Sequence, residues 1–224
     1  MTGRVLITGG AGFIGSNLAD SLAADGLEVL IYDSLARPGV AGNLAWLRRR
    51  HPTRIHVMRA DIRDAAALRA ALDGADAVFH LAAQVAVTTS LTDPEEDFAV
   101  NLRTSFVLLD LLRQRSGGPC PLVFASTNKV YGDLGDIALE KRGDAWVLRD
   151  PAVRGTGIAE GRRLDFHTPY GCSKGAADQY VLDFARSYGM PAAVMRMSCI
   201  YGPRQMGTED QGWVAHFLIR PLRG

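Results

Sequence analysis

The chain has 224 residues, 47% of them apolar and 22% charged, with a formal net charge of +1. That length allows one domain with a sizeable hydrophobic core. The near-zero charge gives no electrostatic case for a nucleic-acid or anionic-membrane partner.

RVLIT (4–8) is a short apolar run ending at glycines, which predicts a buried parallel strand. A helix is expected next, with Phe13, Ile14, Leu18 and Leu22 at helical spacing. EVLIYD (28–33), RIHVMRADI (54–62) and ADAVFHLAA (75–83) predict three further strands, separated by helices near 40–50 and 64–72. Residues 93–115 read as one long amphipathic helix, opened by Asp93-Pro94 as N-cap and first-turn proline. PLVFAST (121–127) predicts a fifth strand, 170–189 a helix and AAVMRMS (192–198) a sixth strand. Residues 133–169 read as one long irregular loop, either a solvated flap or a lid. This alternation means an α/β fold, a parallel sheet with helices on both faces. Three scattered cysteines, Cys120, Cys172 and Cys199, show neither metal-ligand nor disulfide spacing, as expected in a reducing cytoplasm. MTGRVLITGG lacks the apolar core of a signal peptide, and no apolar run reaches the ~20 residues of a membrane span. No metal and no membrane partner are expected.

Gly9, Gly12 and Gly15 form GxxGxxG between a strand and a helix, the context that gives a dinucleotide fingerprint its meaning. Gly9 permits the tight turn, Gly12 the approach of a pyrophosphate to a helix N-terminus, and Gly15 close packing. Asp33 ends the second strand, where a carboxylate accepts the adenosine ribose hydroxyls and repels a 2′-phosphate. That favours NAD over NADP, although Arg37 nearby points the other way. Asp61 and Ile62 at the third strand end can flank the adenine, and the small Ala82 and Ala83 at the fourth can admit the cofactor.

Tyr170 and Lys174 form YxxxK, one face of a helix start. An ammonium beside a tyrosine favours the phenolate, so Tyr170 is expected to have a lowered pKa and to act as a base toward a sugar hydroxyl. Lys174 can also hold the nicotinamide ribose. His80 and His167 are the other candidate acids or bases; His80, beside the cofactor alanines, reads better as a packing residue. Cys172, inside YxxxK, reads as packing too.

GxxGxxG, Asp33, HLAAQ (80–84), STNKVYG (126–132), YGCSK (170–174) and RMSCIYGPRQ (196–205) occur in that order. The chain resembles the extended short-chain dehydrogenase/reductase superfamily in its nucleotide-sugar epimerase branch. The resemblance implies a Rossmann-like doubly wound parallel sheet, NAD as cofactor, and a catalytic set of Thr127, Tyr170 and Lys174. It also implies cofactor contacts from Phe13, Ile14, Ser34, Leu81, Gln84, Asn101, Ser126, Arg196 and Ser198, with Asn101 supporting the lysine. DFHTPYGCSKGAADQYVLDFAR (165–186) with YGPRQMGTEDQGW (201–213) is similar to the CDP-tyvelose 2-epimerases, also called CDP-paratose 2-epimerases. That likeness implies a nucleotide-diphosphate sugar substrate, a CDP-sugar first, oxidised at C2 and reduced on the other face; the alternatives are a nucleotide-sugar 4-epimerase or reductase of the same superfamily, or a non-catalytic NAD-binding module.

By the same resemblance Asn128, Arg204 and Gln205 are substrate residues. Related 4,6-dehydratases carry two acids where this chain has Asn128 and Lys129, so water elimination lacks its usual catalyst. Lys129 is expected to face solvent. Members of the epimerase family are longer, so residues 1–224 are expected to be the NAD-binding domain with the C-terminal substrate-binding part largely absent. Members often pair through the helices near 93–115 and 170–189, so a homo-oligomer, dimer or tetramer, is expected. The stripe Phe106, Leu109 and Leu112 suits that or docking on the sheet.

Overall fold

The computed structural model describes residues 3–222. Strand and helix alternate through β1 (Arg4–Thr8), α1 (Phe13–Ala24), β2 (Glu28–Asp33), α2 (Val40–Arg50), β3 (Ile55–Arg59), α3 (Ala65–Leu72) and β4 (Ala77–His80). Then come α4 (Val87–Thr92), α5 (Pro94–Asp97), a π-helical turn (Phe98–Arg103) and α6 (Thr104–Arg113). β5 (Leu122–Thr127) leads through a 3-10 turn (Asn128–Tyr131) to a hairpin of β6 (Leu139–Arg142) and β7 (Ala145–Leu148), and to α7 (Pro151–Thr156). α8 (Thr168–Tyr188), β8 (Ala192–Met197) and α9 (Trp213–Leu222) follow.

Six strands form one parallel sheet in the order β3-β2-β1-β4-β5-β8. Alternating side chains feed two cores. Leu6, Leu30 and Tyr32 pack with Leu68, Leu108, Leu109 and Val181 from α3, α6 and α8. Val5, Ile7, Val29 and Ile31 face the other way, onto Ala19, Ala23, Leu44 and Leu47 of α1 and α2. Each such burial contributes about 1.5–3 kcal/mol, which is why the central strands read as unbroken apolar runs. The strand order reverses between β1 and β4, and a crevice opens there beyond the carboxyl ends of the strands. This is the Rossmann-like doubly wound architecture.

One expectation is refined and one needs correction. The helix over 93–115 runs in unbroken helical backbone from Pro94 to Arg113, capped by Asp93, which accepts from Glu96 N at 3.0 Å, but it is not a regular α-helix throughout. The chain widens into the π-turn, and the Thr104 and Ser105 hydroxyls donate to the carbonyls of Val100 and Asn101. Such back-bonding from hydroxyls competes with the regular ladder. Residues 133–169 are not irregular throughout: they hold the β6–β7 hairpin and α7, whose Asp150 cap accepts from Ala152 N at 2.8 Å. α4 and α9 were not expected. Among the described residues no helix is long and apolar enough to cross a membrane.

Candidate active site

The crevice is a cleft of about 440 Å³. One end is shaped by backbone. Gly9 has φ +69, and a Cβ there would lie 2.7 Å from Ala82 N. A Cβ on Gly15 would lie 2.4 Å from Gly9 O and 2.7 Å from Gly10 Cα, so α1 can start this close to the turn only with glycine. At Gly12 a Cβ would meet only Gly9 O, at 3.1 Å, and its other side opens on the cleft before the N-terminus of α1. Asp33 is aimed by two backbone donors, Ala11 N at 3.0 Å and Leu35 N at 2.8 Å. Phe13, Ile14, Ser34, Asp61, Ile62 and Arg37 line the same end. Hydrogen bonds from Arg63 hold the Asp61 carboxyl below its usual range against the opposing effect of burial. The Arg63 guanidinium also reaches Glu96 at 2.6 Å.

The other end is shaped by side chains. Leu81, Ala82, Ala83, Gln84, Ser126, Tyr170 and Lys174 line it. The proline at the start of α8 sets the helix just before Tyr170, whose backbone N–H donates to Ser90 Oγ at 3.2 Å. Thr127 is buried behind the lining, accepts from Lys129 N at 3.2 Å, and its hydroxyl favours the ionised form of the Tyr170 phenol. Lys174 is buried, with Nζ 4.3 Å from the centre of the Phe124 ring. Burial pulls its ammonium down to about 8, and the carboxylates of Asp97 and Asp178 oppose that fall. The expected lowering of Tyr170 by Lys174 is corrected: in the chain itself burial raises the phenol, Thr127 opposes this, and the Asp97 charge adds to the rise.

Asp97 and Asp178 escaped the sequence reading. Asp97 accepts from Asn101 Nδ2 at 3.0 Å, from Gln84 Nε2 at 3.1 Å and from Ser173 Oγ. Asn101, buried one turn after Asp97, accepts from Gln84 N at 3.0 Å and donates to Gln84 O at 3.0 Å. Asn101 therefore braces the loop after β4 against the helix that carries Lys174, and does not itself line the cleft. Burial pushes the Asp97 carboxyl up, against the hydrogen bonds and the Lys174 charge. Asp178 accepts from Arg196 at 2.9 Å twice and from Ser126 Oγ at 2.7 Å. Burial pushes the Asp178 carboxyl up, but these bonds outweigh it and hold it low. Tyr170, Lys174 and Asp178 lie at i, i+4 and i+8, so the periodicity that joined the first two contained the third.

Several expected contacts lie elsewhere. Arg196 is turned from the cleft to Asp178 and to the Tyr131 hydroxyl at 2.9 Å, while its neighbour Met197 lines the cleft; adjacent strand residues point to opposite faces. Ser198 is exposed and outside the lining, as are Asn128 and Lys129 in the 3-10 turn. Arg204 and Gln205 do line the cleft. His80 is fully buried between Thr8 Oγ1 at 2.7 Å and Ser105 Oγ at 3.2 Å, and burial, then Lys174, pulls it down to about 3. It is a neutral strut. His167 is exposed, between Asp133 and Asp165 at 3.2 Å each.

The backbone cradle, the aimed Asp33 carboxylate and the unencumbered Lys174 ammonium fit a dinucleotide such as NAD. Residues 5–224 match the family described as NAD dependent epimerase/dehydratase. The chain is 42% identical, over 98% of its length and 64% of the relative's, to a CDP-paratose 2-epimerase of Salmonella typhi. It is 34% identical, over 89% of its length and 54% of the relative's, to a probable dTDP-glucose 4,6-dehydratase of Sinorhizobium fredii. The crystal structure of Thermus thermophilus UDP-glucose 4-epimerase complexed with NAD superposes with a TM-score of 0.76 at 35% identity, covering 99% of this chain and 63% of that one. The chain thus spans less than two thirds of the length of these relatives. It belongs to the NAD dependent epimerase/dehydratase family.

Proposed function

We propose that the protein is an NAD-dependent nucleotide-sugar epimerase that inverts C2 of a CDP-linked dideoxysugar, interconverting CDP-paratose and CDP-tyvelose. One observation carries this reading: Tyr170 and Lys174 line one end of the cleft, the buried Thr127 hydroxyl bears on the Tyr170 phenol from behind the lining, and the two residues after Thr127, Asn128 and Lys129, are not carboxylic acids. The choice of C2 and of cytidine is supported by the likeness to the Salmonella typhi 2-epimerase. The same three residues would serve a 4-epimerase.

The glycine-rich turn would hold the cofactor diphosphate, Asp33 the adenosine ribose, and Lys174 the nicotinamide ribose. Bound there, NAD supplies a hydride acceptor that later gives the hydride back. Tyr170 takes the proton of the C2 hydroxyl, and Thr127 hydrogen-bonds the same oxygen. A cationic ring bound beside the phenol would oppose the burial that raises it in the chain alone. Tyr170 then returns the proton after the 2-keto sugar has turned over.

Residues 1–224 form the NAD-binding unit on this reading, including the catalytic helix. Phe106 of α6 meets Tyr180 and Phe184 of α8 edge to face, and Tyr188 meets Phe184; the partly exposed Phe106, Tyr180 and Tyr188 support a homodimer through those helices. The free thiols of Cys120, Cys172 and Cys199 suit the cytoplasm. The test incubates the purified protein with CDP-paratose and identifies the product. CDP-tyvelose without added reductant is expected; inversion at C4, net consumption of NADH, or NAD binding without turnover rejects the proposal.

A further inference from the structure

The segment after β8 crosses the cleft at its dinucleotide end. Gly202 lies against Phe13, where a Cβ would sit 3.4 Å from the ring. Pro203 O accepts from Asn17 Nδ2 at 3.0 Å, and Arg204 O from Asn43 Nδ2 at 3.1 Å. Met206 covers Gly39, whose Cβ would come within 2.7 Å of its side chain. Both asparagines also grip the fingerprint turn: Asn43 donates to Ala11 O at 3.1 Å and Asn17 to Phe13 O at 2.8 Å. The segment is therefore latched to the two residues that flank Gly12.

Arg204 is the centre of this latch. It is not glycine, yet its φ is +68, a strained conformation that persists only where its surroundings enforce it. Its guanidinium lies 3.9 Å over the Trp46 ring and donates to Asn17 Oδ1. These partners are uncharged. Nε of Arg204 is buried without a hydrogen-bond partner, as is Oε1 of Gln205, and both residues line the cleft. A buried guanidinium N–H without an acceptor is costly unless something in the cleft accepts from it. Asn17 and Phe13, which meet Arg204 and Gly202, belong to the first two turns of α1, and its first turn carries no acid.

We infer that residues 202–206 are a strap over the cofactor and that Arg204 is a binding residue for its diphosphate, not for the substrate sugar. This revises the substrate role expected from the sequence, and it rests on reading the cleft as the NAD site. Gln205 stays on the strap, its amide donating to Ile200 O at 3.2 Å.

The test compares NAD, ADP-ribose and adenosine as ligands of the whole protein stripped of nucleotide, by calorimetry. Arg204→Gln keeps a donor near Asn17 and removes the charge. It is expected to weaken NAD and ADP-ribose about tenfold to a hundredfold, the loss of one charge-assisted hydrogen bond, and to leave adenosine unchanged. Arg204→Lys is expected to recover part of that loss and to show a steeper salt dependence than Arg204→Gln. If Arg204→Gln does not fold, the Arg204→Lys comparison decides alone: loss of adenosine affinity in step with ADP-ribose overturns the proposal. Unchanged ADP-ribose affinity in Arg204→Gln also overturns it, and unchanged affinity with lost turnover returns Arg204 to the sugar. Weakened ADP-ribose binding in a protein that turns over no CDP-sugar leaves the inference standing and removes the proposed reaction instead.

Discussion

The two ends of the cleft are made of different material. At the dinucleotide end the contact surface is main chain: glycines whose missing Cβ atoms leave room, N–H groups that aim Asp33, and a helix start. At the catalytic end it is a buried network of side chains, with Lys174 set between Asp97 and Asp178 and each carboxylate tied to a different strand or loop. Shape is enough to bind a diphosphate, since any compact anion takes backbone donors. Moving a proton demands charges held at set places in a dry site, which only buried, paired groups supply.

Breaking either end should give a different phenotype. The largest effect is expected from Tyr170→Phe: turnover should fall about 10²- to 10⁴-fold, the worth of a general base, while native mass spectrometry still finds NAD bound. Loss of NAD in that variant would show that Tyr170 is a binding residue. Next comes Asp178→Asn, which leaves Arg196 buried beside an uncharged partner. Unfolding in urea should show a loss of about 3–5 kcal/mol, as for a broken buried ion pair. A loss within 0.5 kcal/mol would mean that the pair does not organise the β5–β8 edge.

Gly15→Ala probes the backbone end. Its methyl would collide with main-chain atoms that cannot swing aside, so about 1–3 kcal/mol of stability and most NAD affinity should go together. Retained affinity would show that the turn can shift. Asp97→Asn sharpens the comparison most finely. The lysine pKa, about 8, lies below its unfolded value, so the ammonium is lost as pH rises through about 8. The unfolded chain still holds that proton up to about 10.4, so stability should rise with pH across the window between them while activity falls. Asp97 opposes the lowering of Lys174, so removing its charge should move the alkaline limb of kcat/KM to lower pH. An unmoved limb would detach Asp97 from the lysine.

The sequence made the backbone end legible because it is local. An apolar strand, three spaced glycines and a strand-final acid lie within 30 residues, and each has one physical reason to be there. The catalytic end is assembled from distant parts. Tyr170 and Lys174 could be read by their spacing, but Asp97 gains its meaning only from Gln84 on the loop after β4 and Ser173 on α8, partners far from it in sequence that no helical period shows. Arg196 was misplaced by one step of strand parity, since Met197 takes the side facing the cleft. The hairpin within 133–169 was hidden by its exposure: Leu139 and Trp146 are open to solvent, so no buried alternation marks the strands.

The central claim is that hydride leaves C2 and comes back to it within one site. CDP-paratose carrying deuterium at C2 tests this most directly. The account predicts CDP-tyvelose that retains the deuterium at C2, with no incorporation from solvent and no requirement for added NADH. Inversion at another carbon, or replacement of the label by solvent hydrogen, would contradict it.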